Sequence, residues 1–298
     1  MTIGSFLSLF DPAYAPYVWL CTKVYLSLAL IIYFVWSFRS NKYIGFATFI
    51  LLANFSSYLE LAAWQFHSVL NMLLLLFLIA SSKKHSAVLM GLWYGLSMLI
   101  KPIGLLFLPL LIFKGRWKAV GIGVGLFVLA TLIFLYQGIG TYYTNNLQTN
   151  LSLSGTLGPN QIITLSAWLH YNTHWPDFVY QAIQYFALLC IVGWGLLSKV
   201  SIPKAAFLMV AYYLCFYEQV FEYQWSTLAY VLAICVLICP EFQTKRSLFC
   251  ILLTCLPSCF LLLNLLHIDV TNMGDLGMIP GRRRGIGWSS AKWCHFSS

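Results

Sequence analysis

"FVYQAIQYFALLCIVGWGLLS" (178–198) contains no Asp, Glu, Lys or Arg, and Lys199 follows it directly. An uncharged run of eighteen or more mainly apolar residues is long enough to cross the hydrocarbon of a bilayer as a helix. Ala119–Tyr136 and Ser247–Leu266 pass the same test. These runs are continuous, whereas spanning barrel strands are short and alternate in polarity, so a helical bundle is implied. They recur as far as Leu266, which a removable signal peptide could not explain. Hydrophobic residues make up 60% of the 298-residue chain and charged residues only 8%. Soluble domains carry about 25% charged residues, so this chain cannot cover a water-facing surface. The class is an all-α, polytopic transmembrane helix bundle.

About ten apolar segments follow along the chain, at 15–38, 43–59, 66–82, 86–100, 103–113, 117–136, 177–198, 202–217, 225–240 and 247–267. The basic residues occupy alternate gaps: Arg39 and Lys42; Lys83 and Lys84; Lys114, Arg116 and Lys118; Lys199 and Lys204; Lys245 and Arg246. Positive charge marks cytoplasmic turns. The net charge of +9 is therefore a topology signal, and nucleic acid is not an expected partner. The other gaps face outwards. They hold 60–67, Lys101 with Pro102, the long stretch 137–176, and 218–225. Glu218 and Glu222, two of only eight acidic residues, sit in the last of these. Their i,i+4 spacing would put them on one face if the turn is helical.

Three other features bear on function. Pro102 disfavours helix at Lys101, so 86–100 and 103–113 read as partial crossings meeting at a break. A cation there is a functional candidate, whereas Lys23, inside the first segment, is expected to snorkel to the interface. Loops as long as 137–176 are commonly functional. This one is rich in Tyr, Trp and Asn, which suits the lipid interface, with a short helix expected near Gln161–Leu169. The nine cysteines have no zinc or redox spacing and read as small buried hydrophobes. The glycines of "GIGVG" (121–125) read as helix packing rather than nucleotide binding.

Carboxylates, one lysine, amides and aromatics at an outer membrane surface suit transfer from a lipid-linked sugar phosphate. A carboxylate takes the proton from the acceptor hydroxyl, and a cation or donor set stabilises the departing phosphate. The stretch "MGLWYGLSMLIKPIGLLFLPLLIFKGRWKAV" (90–120) resembles the G-L-x-x-G-L-x-x-x-x-K-P…L-L…R-R-W block of glycosyltransferase family 87. "AWQFHSVLNMLLLLFLIA" (63–80) is similar to the family's G-Q-x-N and leucine-rich helix, with Gln65 matching, Trp64 in place of Gly and His67 in place of Asn. "GPNQIITLSAWL" (158–169) resembles its N-Q-S-L stretch through Asn160 and Gln161. "VFEYQWSTLAYVLAI" (220–234) resembles W-(D/E)-H-H-(Y/W), with Glu222 and Trp225 matching and Tyr223 and Gln224 where histidines are common.

The resemblance covers about 15–267. It implies a GT-C-like enzyme of the bacterial plasma membrane that transfers a hexose, typically mannose, from a polyprenyl-phosphate donor to a glycan or glycolipid acceptor, without cofactor or metal. Glu222, Glu218 and Asp11 are the candidate catalytic carboxylates. Lys101, Gln65, His67, Asn160 and Gln161 are the candidate substrate-binding residues. In the family a further helix and an outer loop with a catalytic aspartate precede the part matched here. The chain is thus expected to be N-terminally truncated, with a glycosyltransferase-like domain over 1–267 and a disordered tail over 268–298. The alternatives are an inactive relic, a membrane-complex subunit, or a transporter or flippase. Only one broken helix pair, at Lys101, is visible for the last of these.

Overall fold

A computed structural model gives the fold. It describes residues 11, 14–62, 67–83, 86–100, 102–136, 164, 165, 169, 173, 175–197, 200–216, 220 and 222–256. The described elements are helical, with no strand among them. They are α1 (Ala15–Ser37), α2 (Ile44–Ala53), α3 (Phe55–Ala62), α4 (His67–Ser82), α5 (Ala87–Ile100), α6 (Leu108–Phe113), α7 (Trp117–Tyr136), α8 (Asp177–Leu197), α9 (Ile202–Phe216), α10 (Ser226–Ile238) and α11 (Lys245–Leu253). Tight 3₁₀ turns at Pro102–Phe107, Glu222–Trp225 and Pro240–Gln243 lead into α6, α10 and α11. Residues 268–298 lie outside the described residues.

α4 and α10 are buried nearly all round, as expected of helices at the centre of a bundle. α10 packs against α2, α4 and α9. α1 and α8 lie at the periphery and are the two described helices long and apolar enough to cross a membrane individually. Their exposed side chains include Tyr25, Ile32, Phe186 and Leu189. In water that surface would aggregate; against acyl chains it is the appropriate one.

Two apolar runs that read as single spans are broken. The run 43–59 bends by 51° between α2 and α3. Within the run Ser247–Leu266, α11 ends at Leu253 and the chain turns through Thr254 and Cys255. Each break satisfies the other. Asn54 Nδ2 donates to the Thr254 carbonyl at 3.1 Å, and the Phe55 N–H donates to the Cys255 carbonyl at 3.1 Å. Asn54 Oδ1 also accepts from the Ser57 N–H at 3.1 Å, which caps the start of α3. Backbone groups freed at membrane depth need internal partners, and here residues 200 positions apart supply them.

The expected change of conformation before Pro102 is seen on both sides of it: α5 ends at Ile100 and a 3₁₀ turn begins at Pro102. α5 packs most closely on α7. A methyl on Gly91 would meet the Ala119 carbonyl oxygen at 2.7 Å, and one on Gly95 the Gly123 carbonyl oxygen at 2.9 Å. Small residues four apart let the two backbones touch. Of the "GIGVG" glycines, only Gly123 is used this way, under the Tyr94 ring; Gly121 and Gly125 face open space.

Charge separates the two ends of the bundle. Lys83 Nζ lies 4.5 Å from the Phe38 ring centre, and Asn41 Nδ2 donates to the Leu237 carbonyl at 2.9 Å. Lys204 Nζ pairs with Glu241 at 2.6 Å. Four of the basic gaps therefore meet at one end. The hydrogen bond from Lys204 holds the Glu241 carboxyl below the usual carboxylate range. Its contribution is complete above the unfolded carboxylate pKa and is lost as pH falls through the lower, folded one.

The tight α5–α7 contact gives a first prediction. Gly95→Val should destabilise the detergent-purified protein by roughly 1–3 kcal/mol through overpacking. Gly121→Ala should change it by no more than about 0.5 kcal/mol. Thermal denaturation followed by circular dichroism compares them; equal effects would refute the contact.

Candidate functional site

At the end opposite the basic turns, scarce polar side chains meet inside the bundle. Lys23, two turns into α1, is only 1% exposed. Its Nζ donates to the backbone carbonyl of Glu60 on α3 at 2.9 Å, and the Trp19 ring centre is 5.8 Å away. The expected snorkelling of Lys23 is thus corrected: with Glu60 within reach, the ammonium turns inwards instead of climbing to the headgroups. Glu60 is also 1% exposed. Its Oε1 accepts the Ser68 N–H at 2.6 Å, at the start of α4. A carboxylate there also compensates the partial positive charge of that helix terminus.

A second set joins α4 to α10. Thr227 Oγ1 donates to Asn71 Oδ1 at 2.7 Å, and Asn71 Nδ2 donates to Ser226 Oγ at 2.7 Å. His67 Nε2 is 2.7 Å from Thr227 Oγ1. The threonine proton already goes to Asn71, so this contact requires the Nε2–H form of the imidazole. His67 and Asn71 are four apart on α4 and so share one face. Just before α10, buried Gln224 accepts from the Tyr213 hydroxyl at 3.1 Å, and its 3₁₀ turn packs on α3.

Beside this network lies a cavity of about 380 Å³ between α1, α2, α3, α4 and α10. Glu60, Ser68, Asn71, Ser226 and Tyr230 line its polar side. Among the described residues the Ser68 hydroxyl has no hydrogen-bond partner.

The expected site residues fall unevenly on this frame. His67 is buried in the network. Glu222 opens the 3₁₀ turn before α10, although its side chain is outside the description. Asp11 is exposed ahead of α1, where its carbonyl accepts the Tyr14 and Ala15 N–H groups at 2.8 and 3.0 Å, and it does not line the cavity. Lys101, Gln65, Asn160, Gln161 and Glu218 lie outside the described residues, as does most of the short helix expected near Gln161–Leu169. α9 ends at Phe216, and Val220, between Glu218 and Glu222, is not helical.

Sequence reasoning missed Lys23, Glu60, Ser68, Asn71, Ser226 and Thr227 as site residues. Two signals were available. Lys23 and Glu60 are charges within or beside apolar runs in a chain with few charges, and His67 and Asn71 recur at helical spacing within one.

The profile of glycosyltransferase family 87 matches residues 2–240. The chain belongs to glycosyltransferase family 87, which indicates a membrane glycosyltransferase. No curated protein and no solved structure matches the chain.

Removing one member of a buried, compensated pair leaves an uncompensated charge, which typically costs about 3–5 kcal/mol. Lys23→Met should therefore destabilise the protein by about that much. The double variant Lys23→Met/Glu60→Gln should recover most of the loss, since Gln can still accept the Ser68 N–H. Denaturation of the single and double variants in mild detergent measures the coupling; additive losses would show that the two charges are independent.

Proposed function

We propose that this protein is a multi-pass enzyme of the bacterial plasma membrane that transfers a hexose, mannose first among them, from a polyprenyl-phosphate donor to a glycan or glycolipid acceptor at the outer face. Family membership supports sugar transfer. One observation carries the location. Polar side chains from α1, α3, α4 and α10 gather at the end away from the basic turns, beside a cavity with exposed apolar residues at its edge. Such a place lets a lipid-borne substrate keep its chain in the bilayer.

In this reading the acceptor hydroxyl oxygen attacks the anomeric carbon of the donor sugar. The bond from that carbon to the phosphate oxygen breaks, and its electron pair leaves with the polyprenyl phosphate. Glu222 takes the acceptor proton, with Glu218 and Asp11 as the alternate carboxylates. Its 3₁₀ turn packs against α3, the helix that carries Glu60, which supports a role at this end. Lys101 meets the phosphate charge, because the Lys23 ammonium is already directed at Glu60. Gln65, Asn160 and Gln161 supply hydrogen bonds to the donor. His67 orders Thr227 beneath them through its 2.7 Å contact.

The second broken helix, at Asn54, is the one observation that favours a transporter. Its freed groups bond to Thr254 and Cys255 and Asn54 does not line the cavity, whereas transporter breaks expose backbone to a substrate.

Two experiments test the reading. Membranes carrying the protein should transfer labelled mannose from polyprenyl-phosphate mannose to lipid-extractable product. Glu222→Gln should lower that rate by about 10²–10⁴-fold, the usual worth of a general base, with insertion unchanged; undiminished turnover would sink the assignment. Cysteines placed singly at 101, 161 and 222 should react with an impermeant maleimide from outside the cell, and those at 42 and 245 only after lysis. Labelling of the first three from opposite sides would leave no common site.

A further inference from the structure

The cavity has a chemical character that the donor reading leaves unused. Leu28 and Ile31 of α1 and Leu51 and Leu52 of α2 form an apolar wall, and Glu60, Ser68, Asn71, Ser226 and Tyr230 face it as a polar floor. Leu28, Leu52 and Tyr58 on its lining are also exposed at the protein surface. The mouth therefore opens sideways on the face that α1 presents to lipid. A volume of about 380 Å³ lies within the range of small-molecule pockets, roughly 300–1,000 Å³.

The floor selects by charge and by hydrogen bonding. Among the described lining residues there is no lysine or arginine, whereas Glu60 is one of them. A phosphate there would meet the Glu60 carboxylate in a low-dielectric site, and the nearest described ammonium, that of Lys23, is already directed at the Glu60 carbonyl. Hydroxyl groups suit it: carboxylate, amide and hydroxyl oxygens accept from them, and the serine, tyrosine and asparagine groups can donate back. Ser68 is 3% exposed, lines the cavity, and has a hydroxyl with no hydrogen-bond partner among the described residues. Buried hydroxyls in folded proteins are nearly always paired, so this one points to an occupant.

We propose that the cavity binds the uncharged, hydroxyl-bearing head of a membrane lipid, a glycolipid or similar polyol lipid, and excludes phosphate. The head's hydroxyls bond to Glu60, Ser68 and Asn71, and its chain leaves past Leu28 and Leu52. As the seat of the acceptor this rests on the transferase reading; as a lipid-binding site it does not.

The test uses the full chain in a polyoxyethylene detergent and a diazirine-bearing octyl mannoside as probe. Photolysis should label peptides from 24–31 and 51–61. Octyl glucoside should compete, and octyl phosphate, octylamine and octanol at equal concentration should not. Ser68→Val, which alters one hydroxyl, should reduce labelling about tenfold, the worth of a buried hydrogen bond; Asn71→Leu should do the same if it remains monodisperse. Labelling elsewhere, equal competition by octyl phosphate, octylamine or octanol, or full labelling of Ser68→Val would overturn the proposal. Labelling here by a protein that transfers no sugar would sink the transferase reading and leave the site standing. Sugar transfer with labelling elsewhere would do the reverse.

Discussion

A lysine ammonium inside an apolar bundle needs a partner, and much of the end opposite the basic turns is organised around the one Lys23 has. Its Nζ meets the Glu60 carbonyl, and the Glu60 carboxylate in turn accepts the Ser68 N–H at the start of α4. The chain of contacts ties peripheral α1 to the bent α3 and then to the central helix α4. Burying two charges is expensive even when they compensate. The arrangement is therefore poor evidence of stability for its own sake and better evidence that this end of the bundle has chemical work.

The same economy governs the backbone. In hydrocarbon, each N–H and C=O without a partner costs several kcal/mol. The bend at Asn54 and the early end of α11 are tolerable only together, because each supplies what the other lacks. The bend also turns α3 away from the line of α2. That turn carries Glu60 to Lys23 and helps open the cavity in which Leu52 and Ser57, on either side of the break, both take part. A local hydrogen-bonding solution thus sets the geometry of the candidate site.

The polar network between α4 and α10 works at a different level. Asn71, Ser226 and Thr227 are neutral side chains, and with His67 they hold two central helices in register through hydrogen bonds. They lie beneath the turn that Glu222 opens. Charged groups are thus kept to the flank and the turn, and neutral ones to the centre. In the proposed reaction such a division would let a sugar and a phosphate be recognised in adjacent but distinct surroundings.

The amino-acid sequence by itself determined the membrane class, nearly every helix, the break at Pro102 and the grouping of basic turns at one end. Those properties depend on composition and spacing along a short window, which bilayer thickness and charge asymmetry convert directly into structure. It also put Glu60, His67 and Glu222 at the same end, without a role for Glu60. The tertiary structure alone decided that Lys23 turns inwards, that the runs 43–59 and 247–267 break, and that Asn71, Ser226 and Thr227 join. Each of those outcomes rests on a partner between 37 and 200 residues away, and hydropathy, which sums over neighbours in sequence, carries no information about a partner that distant.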